Sequence, residues 1–181
     1  MPDLHLGEVL FLRGNVMDCC EYPSRADGDK LMLNDEPVDI LVVEDSARER
    51  DSIVEILKAS LPEANIVAVH DGTAALDFLF ARGDWTDRAG ADPPRLILLD
   101  LALPGADGFS ILGQIRSLDV DDALTLTPVV IFSDSQDTRN IARSYRCGAN
   151  SYVMKPLSFS DFQAVVSSVG QYWLTRNLNI V

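Results

Sequence analysis

Four short aliphatic runs in this chain each end in a residue able to do chemistry. Ile40-Leu41-Val42-Val43 leads into Glu44-Asp45, and Leu96-Ile97-Leu98-Leu99 leads into Asp100. Val129-Val130-Ile131-Phe132 leads into Ser133, and Tyr152-Val153-Met154 leads into Lys155-Pro156. If each run is a strand of one parallel sheet, these residues share the carboxyl edge, where α/β folds bind ligands. Three carboxylates crowded together raise one another's pKa unless a cation compensates. Mg²⁺ suits such a set, because it takes hard oxygen ligands and keeps several waters. Asp45 and Asp100 could hold it directly, and Glu44 through water. Asp100 is the candidate nucleophile, since a carboxylate can attack phosphorus and form an acyl phosphate. Lys155 would hold a phosphoryl oxygen as a point charge, and Ser133 would donate a hydrogen bond to another.

The elements that must position these residues are legible from periodicity. Strands are expected at 40–43, 66–69, 96–99, 129–132 and 151–154, alternating with amphipathic stretches as in repeated βα units. Ser46 can cap a helix to about Ser60 that buries Ile53, Val54, Ile56 and Leu57. Asp71 can cap a helix to about Ala81. A third helix spans 109–118, a fourth 138–146, and a final one runs from the Ser158 cap to about Leu174. The 83–94 segment reads as a long polar loop. Continuous aliphatic strands imply burial on both faces, hence a parallel sheet covered by helices. Right-handed crossovers then make a three-layer sandwich. The Lys155–Pro156 bond is a candidate cis peptide, a feature of tight turns.

Composition limits the function classes. At 181 residues and 47% hydrophobic content, one globular domain is expected. The net charge of -13 argues against binding nucleic acid or anionic lipid surfaces directly. Cys19, Cys20 and Cys147 make neither a disulfide framework nor a CxxC pair, which suits a reducing, cytoplasmic compartment. The start at Met1-Pro2-Asp3 has no secretory pattern, and no apolar stretch approaches a membrane span. Residues 1–37 show no clear period and read as an N-terminal extension, with Met32 an alternative start. Residues 38–174 form the expected domain, and 175–181 a tail.

The ordered set Val43-Glu44-Asp45, Asp100-Leu101-Ala102-Leu103-Pro104-Gly105-Ala106-Asp107-Gly108, Ser133 and Lys155-Pro156 resembles the receiver domain of two-component response regulators. The resemblance spans about 39–174. It implies a flavodoxin-like, doubly wound (βα)5 fold with strand order 2-1-3-4-5. It also implies that Asp100 is the phosphoacceptor, and that Glu44, Asp45, Asp100 and the Ala102 backbone carbonyl hold Mg²⁺. Lys155 then binds the phosphoryl group, while Ser133 and Tyr152 form the switch. On this likeness the chain accepts a phosphoryl group from a sensor histidine kinase and is not itself an enzyme beyond slow self-dephosphorylation. Gly83-Asp84-Trp85, the 148–152 segment and the Tyr172-Trp173-Leu174 ending are similar to single-domain regulators that pair with phytochrome-type kinases. No DNA-binding domain is expected to follow, so output would pass through protein contacts. Trp173 and Leu174 suit either a homodimer contact or packing on their own domain.

Rival readings fit less well. A haloacid-dehalogenase-type phosphatase needs a second aspartate two residues after the nucleophile, where Ala102 stands. A nucleotide triphosphatase needs a GxxxxGK[ST] loop, which is absent from the sequence. A flavin carrier needs a phosphate loop after the first strand, where Glu44-Asp45 would repel phosphate. A receiver-fold scaffold that works without phosphorylation remains as the alternative.

One residue departs from the family pattern. The position after Ser133 is usually small, and here it is Asp134. A further carboxylate near the acceptor repels anionic phosphodonors. Asp134→Ala is expected to speed labelling by small phosphodonors, measured as initial rate; an unchanged rate would remove the idea.

Overall fold

The computed structural model describes residues 37–178, so the expected N-terminal extension, the Met32 start, Cys19 and Cys20 lie outside the described residues. Five parallel strands form one sheet: β1 (Ile40–Val43), β2 (Ile66–Val69), β3 (Leu96–Leu99), β4 (Val129–Ser133) and β5 (Ser151–Met154). Their order is 2-1-3-4-5, as the resemblance implied. The helices are α1 (Ala47–Ser60), α2 (Gly72–Leu79), α3 (Gly108–Arg116), α4 (Ala123–Leu126), α5 (Thr138–Arg146) and α6 (Phe159–Gln171).

Period-2 alternation along the strands divides the core into two. Leu41, Val43, Ile97, Leu99, Val129 and Ile131 face one side and pack with α2 and α3 through Phe78, Ile111, Leu112 and Ile115. Ile40, Val42, Leu96, Leu98, Val130 and Phe132 face the other and pack with α1 and α6 through Ile53, Leu57, Phe162 and Val166. This is the three-layer sandwich. Only the inner strands β1, β3 and β4 are buried throughout. The edge strands β2 and β5 are partly exposed, so burial on both faces holds for the middle of the sheet alone.

The helix caps explain where each helix begins. Ser46, Asp71, Asp107, Asp137 and Ser158 each accept a backbone N–H from the first turn of the following helix. The helix expected at 109–118 starts one residue earlier, because Asp107 caps it through Ser110 N–H at 2.7 Å.

Three expectations need correction. The 83–94 segment is not loop throughout: Gly83–Arg88 is a 3₁₀ helix. Trp85 meets Phe78 edge-on at 4.9 Å, and the Arg88 guanidinium lies 3.9 Å over the same ring, so the segment is folded back onto the core. Lys155–Pro156 is trans, since no cis peptide occurs among the described residues. The chain bends at Leu157 and Ser158, where Ser158 caps α6. Helix α4 went unforeseen: its four residues are too few to show a period. It is held from outside by Arg116, whose guanidinium donates to the carbonyls of Thr125 and Thr127 and to Asn150 Oδ1 at 2.8–3.1 Å.

The expected end of the last helix is also refined. α6 passes into a wider π-helical turn at Tyr172–Arg176. Trp173 and Leu174 pack against the second core, while Tyr172 is exposed. Their apolar stripe is therefore used within the domain.

The loop from β3 to α3 lies tightly against its surroundings. A methyl group at Gly108 would overlap the Asp100 carbonyl oxygen and sit 2.9 Å from Leu101 Cα. One at Gly72 would overlap the Ala106 carbonyl in the same loop. Alanine normally gains about 1 kcal/mol over glycine inside a helix. At Gly108 the clash is with backbone and outweighs that gain. Gly108→Ala is expected to destabilise the protein by about 1–3 kcal/mol. Urea unfolding should show a lower midpoint at unchanged slope; a raised midpoint would contradict the close approach.

Candidate functional site

Parallel pairing brings the candidate residues to one edge. Val43 pairs with Leu99, so Glu44-Asp45 and Asp100 leave adjacent strands at the same level. The Asp100 amide donates to Val43 O at 3.0 Å and the Glu44 amide to Val69 O at 3.1 Å, which extends both ladders into the site. Across the sheet, Ser133 pairs with Met154, and the Lys155 amide donates to Ser133 O at 3.0 Å. The point where the chain leaves β1 for β2 on one side and β3 on the other is the topological switch of this fold.

Lys155 joins the two halves. Its Nζ donates to Glu44 Oε2 at 2.6 Å, Glu49 Oε2 at 2.8 Å and Asp100 Oδ2 at 3.1 Å. The side chains of Lys155, Glu44 and Asp100 are 3%, 2% and 7% exposed, whereas Glu49 is 38% exposed. Asp100 is further fixed by the amides of Leu101 at 2.6 Å and Ala102 at 3.4 Å, both donating to Oδ1. Glu44 Oε1 accepts the Ser46 amide at 3.2 Å.

Burial acts on both charge types. On Lys155 it favours the neutral amine, but the hydrogen bonds to Glu44 and Glu49 and the field of Asp100 outweigh it, so the ammonium is held well above its ordinary range. On Glu44 burial dominates, and its carboxyl is pushed up to about 6 despite the Lys155 contact, with Asp100 and Glu49 adding to the rise. Both shifts of the 2.6 Å pair are upward, which favours the charged form of Lys155 and disfavours that of Glu44. The proton stays on Lys155, because several carboxylates satisfy one ammonium while Glu44 receives only a share of it.

Glu44, Asp45 and Asp100 each offer a carboxylate oxygen within 4.8 Å of the others. Asp45 is exposed, so the cluster opens to solvent on one side. Glu49 adds a fourth carboxylate through Lys155. Against the four stand the Lys155 ammonium and the Arg50 guanidinium, which donates to the Glu44 and Asp45 carbonyls at 3.0 and 3.4 Å, so negative charge remains in surplus. Hard, convergent oxygens with a charge deficit fit a divalent cation.

Other candidates sit nearby in different relations. Ser133 is buried at the end of β4, and its hydroxyl is used within its own loop, accepting the Ser135 amide at 3.5 Å. Tyr152 is half-buried against the core, and its hydroxyl donates to Ser135 O at 2.8 Å. The Ala102 amide touches Asp100, as above. Asp134 is exposed and lines a groove of about 400 Å³ with Arg48, Glu49 and Lys155, outside the acidic cluster.

Glu49 is the residue that sequence reasoning missed. Ser46-Ala47-Arg48-Glu49 has the spacing of a capping box, in which the glutamate folds back to the cap residue's own amide. That amide is taken by Glu44, and Glu49 reaches Lys155 instead. No local signal predicts a contact 106 residues away.

Known proteins are similar to this chain in sequence and fold. The family model described as response regulator receiver domain matches residues 40–167. The probable methanogenesis regulatory protein FilR2 of Methanothrix harundinacea is 36% identical over 150 residues, covering 83% of this chain and 92% of that one. The phosphorylated cyanobacterial phytochrome response regulator RcpA superposes with a TM-score of 0.72 at 33% identity, covering 81% of this chain and all of that one. The Mn²⁺-bound form of response regulator Rcp1, known from Synechocystis, superposes with a TM-score of 0.71 at 32% identity, covering 80% and 100%.

Removing the ammonium would strand two buried carboxylates. Lys155→Met is expected to lose about 3–5 kcal/mol at neutral pH without added cation. The sign with pH follows from Glu44. Its folded pKa already lies above the unfolded value of 4.5, and loss of Lys155 raises it further. Its ionisation therefore penalises the folded state increasingly as pH rises through that value. The deficit of the variant should shrink between pH 7 and pH 5 in urea titrations; a deficit constant with pH would contradict the charge account.

Proposed function

The chain belongs to the response regulator receiver domain family, and from that membership we propose that Asp100 accepts a phosphoryl group from a sensor histidine kinase. The observation that carries this reading is the 3.1 Å contact between Lys155 Nζ and Asp100 Oδ2, set within the acidic cluster. An Asp100 oxygen forms the O–P bond as the N–P bond of the donor phosphohistidine breaks. The bonding pair leaves on the imidazole nitrogen, which takes up a proton. Lys155 holds a phosphoryl oxygen. Glu44, Asp45, Asp100 and the Ala102 carbonyl are the residues that would hold Mg²⁺. That ion, when bound, supplies positive charge against the negative charge developing on the phosphoryl oxygens.

The phosphorylated residue adds about -1.5 to -2 charge and strong acceptor oxygens. Ser133 turns its hydroxyl toward them, and Tyr152 follows into the space. Support for this coupling comes from Ser135, two residues on, which already binds both side chains. The altered surface around α5, β5 and α6 then selects partners, including a second copy of the chain. The similarity to RcpA and Rcp1 supports a phytochrome-type kinase as donor. Among the described residues no helix is long and apolar enough to cross a membrane, which suits a cytoplasmic kinase encounter.

The test is incubation with Mg²⁺ and either a phytochrome-type kinase or a small phosphodonor. Wild type should take up a hydroxylamine-labile label, and Asp100→Asn should take up none. A hydroxylamine-resistant label, or one that persists in Asp100→Asn, would overturn the assignment.

A further inference from the structure

Asp45 is the least anchored member of the acidic cluster. Glu44 is buried and held by the Lys155 ammonium at 2.6 Å and the Ser46 amide at 3.2 Å. Asp100 is buried and held by Lys155 at 3.1 Å and by the Leu101 and Ala102 amides at 2.6 and 3.4 Å. Asp45 is exposed, and among the described residues its one hydrogen bond is at the backbone: its carbonyl accepts Arg50 Nη1 at 3.4 Å. Its carboxylate nevertheless lies within 4.8 Å of those of Glu44 and Asp100.

The same Arg50 nitrogen donates to the Glu44 carbonyl at 3.0 Å. No backbone amide among the described residues reaches either carbonyl. The Glu44 carbonyl belongs to the peptide plane before Asp45, and the Asp45 carbonyl to the plane after it. Peptide units are rigid, so holding both planes holds φ and ψ of Asp45 and the direction of its side chain. Arg50 stands near the N-terminus of α1, the helix end that disfavours cations. Its amide donates to Ser46 O at 2.8 Å, and its half-buried side chain folds back over that cap residue to the acid pair.

We propose that Arg50 is a positioning residue for the divalent cation: it fixes the peptide planes on both sides of Asp45, so that the Asp45 carboxylate converges with Asp100 instead of turning into solvent. The proposal rests on the reading of Glu44, Asp45 and Asp100 as cation ligands. It acts through the backbone, against the direction of the guanidinium's own charge, which repels a cation. Loss of the contact should therefore weaken cation binding even where the positive charge is removed as well.

Mn²⁺ provides the probe on the full chain, since the similar regulator Rcp1 is known in a Mn²⁺-bound form. Free Mn²⁺ is followed by electron paramagnetic resonance for wild type, Arg50→Lys and Arg50→Met. Lysine keeps the charge, but its nitrogen falls one atom short of Nη1; methionine keeps the stem and removes the charge. Both variants should bind Mn²⁺ roughly threefold to tenfold more weakly, the scale of one or two lost hydrogen bonds. In the metal-free protein both should shift the ¹³C signal of the Asp45 carboxylate. Wild-type affinity in Arg50→Lys overturns the proposal, because charge alone would then suffice. Tighter binding in Arg50→Met overturns it too, since the guanidinium would then act only by repulsion. A loss of affinity that tracks a lowered urea midpoint, with the Asp45 signal unmoved, would make Arg50 a structural residue and likewise overturn it. Failure of wild type to bind Mn²⁺, or equal binding by Asp45→Asn, is a separate outcome that defeats the cation-site reading and this proposal with it.

Discussion

The buried ammonium of Lys155 is the interaction on which the rest of the structure depends. Glu44 and Asp100 are almost wholly removed from water, and buried carboxylates without a counter-charge are strongly destabilising. Their compensating charge comes from the far side of the sheet. It arrives through β4, whose Ser133 pairs with Met154 and accepts the Lys155 amide. A slip of one residue in that pairing would turn Met154 toward the acids and Lys155 away from them. The register of β5, an edge strand with modest burial, is thus specified by charge as well as by packing.

How much of this was legible in sequence depends on what each residue senses. The inner strands were readable because burial on both faces demands unbroken aliphatic runs such as Leu96-Ile97-Leu98-Leu99. The caps at Ser46, Asp71 and Ser158 were readable because a side chain bonding three residues along leaves a local pattern. Glu44, Asp45 and Asp100 were found as a set because strand ends of a parallel sheet must share an edge, and the structure does bring them together with Lys155. The rest hides in long-range contacts. α4 is held by Arg116 from a different helix, and Gly83–Arg88 is folded by the Phe78 ring. Glu49 was masked by a plausible local role that a neighbouring carboxylate had already taken.

The same polar groups connect the site to the surface. From Lys155 the contacts run through Ser133 O to Ser133 Oγ, then to Ser135, which binds both the Tyr152 hydroxyl and the Asn140 amide. Asn140 belongs to α5, the helix least committed to the core. Of its nine residues only Ser144 is buried, and its outer face carries Arg139, Arg143 and Arg146. A helix with few buried apolar side chains has a low free energy of local displacement. By contrast, α3 sinks Ile111, Leu112 and Ile115 into the core and is braced through Arg116 to the loop before β5. A charge change at Asp100 therefore meets firm packing toward α3 and compliant polar contacts toward α5. The direction in which the site can move its surroundings is set by that contrast in burial.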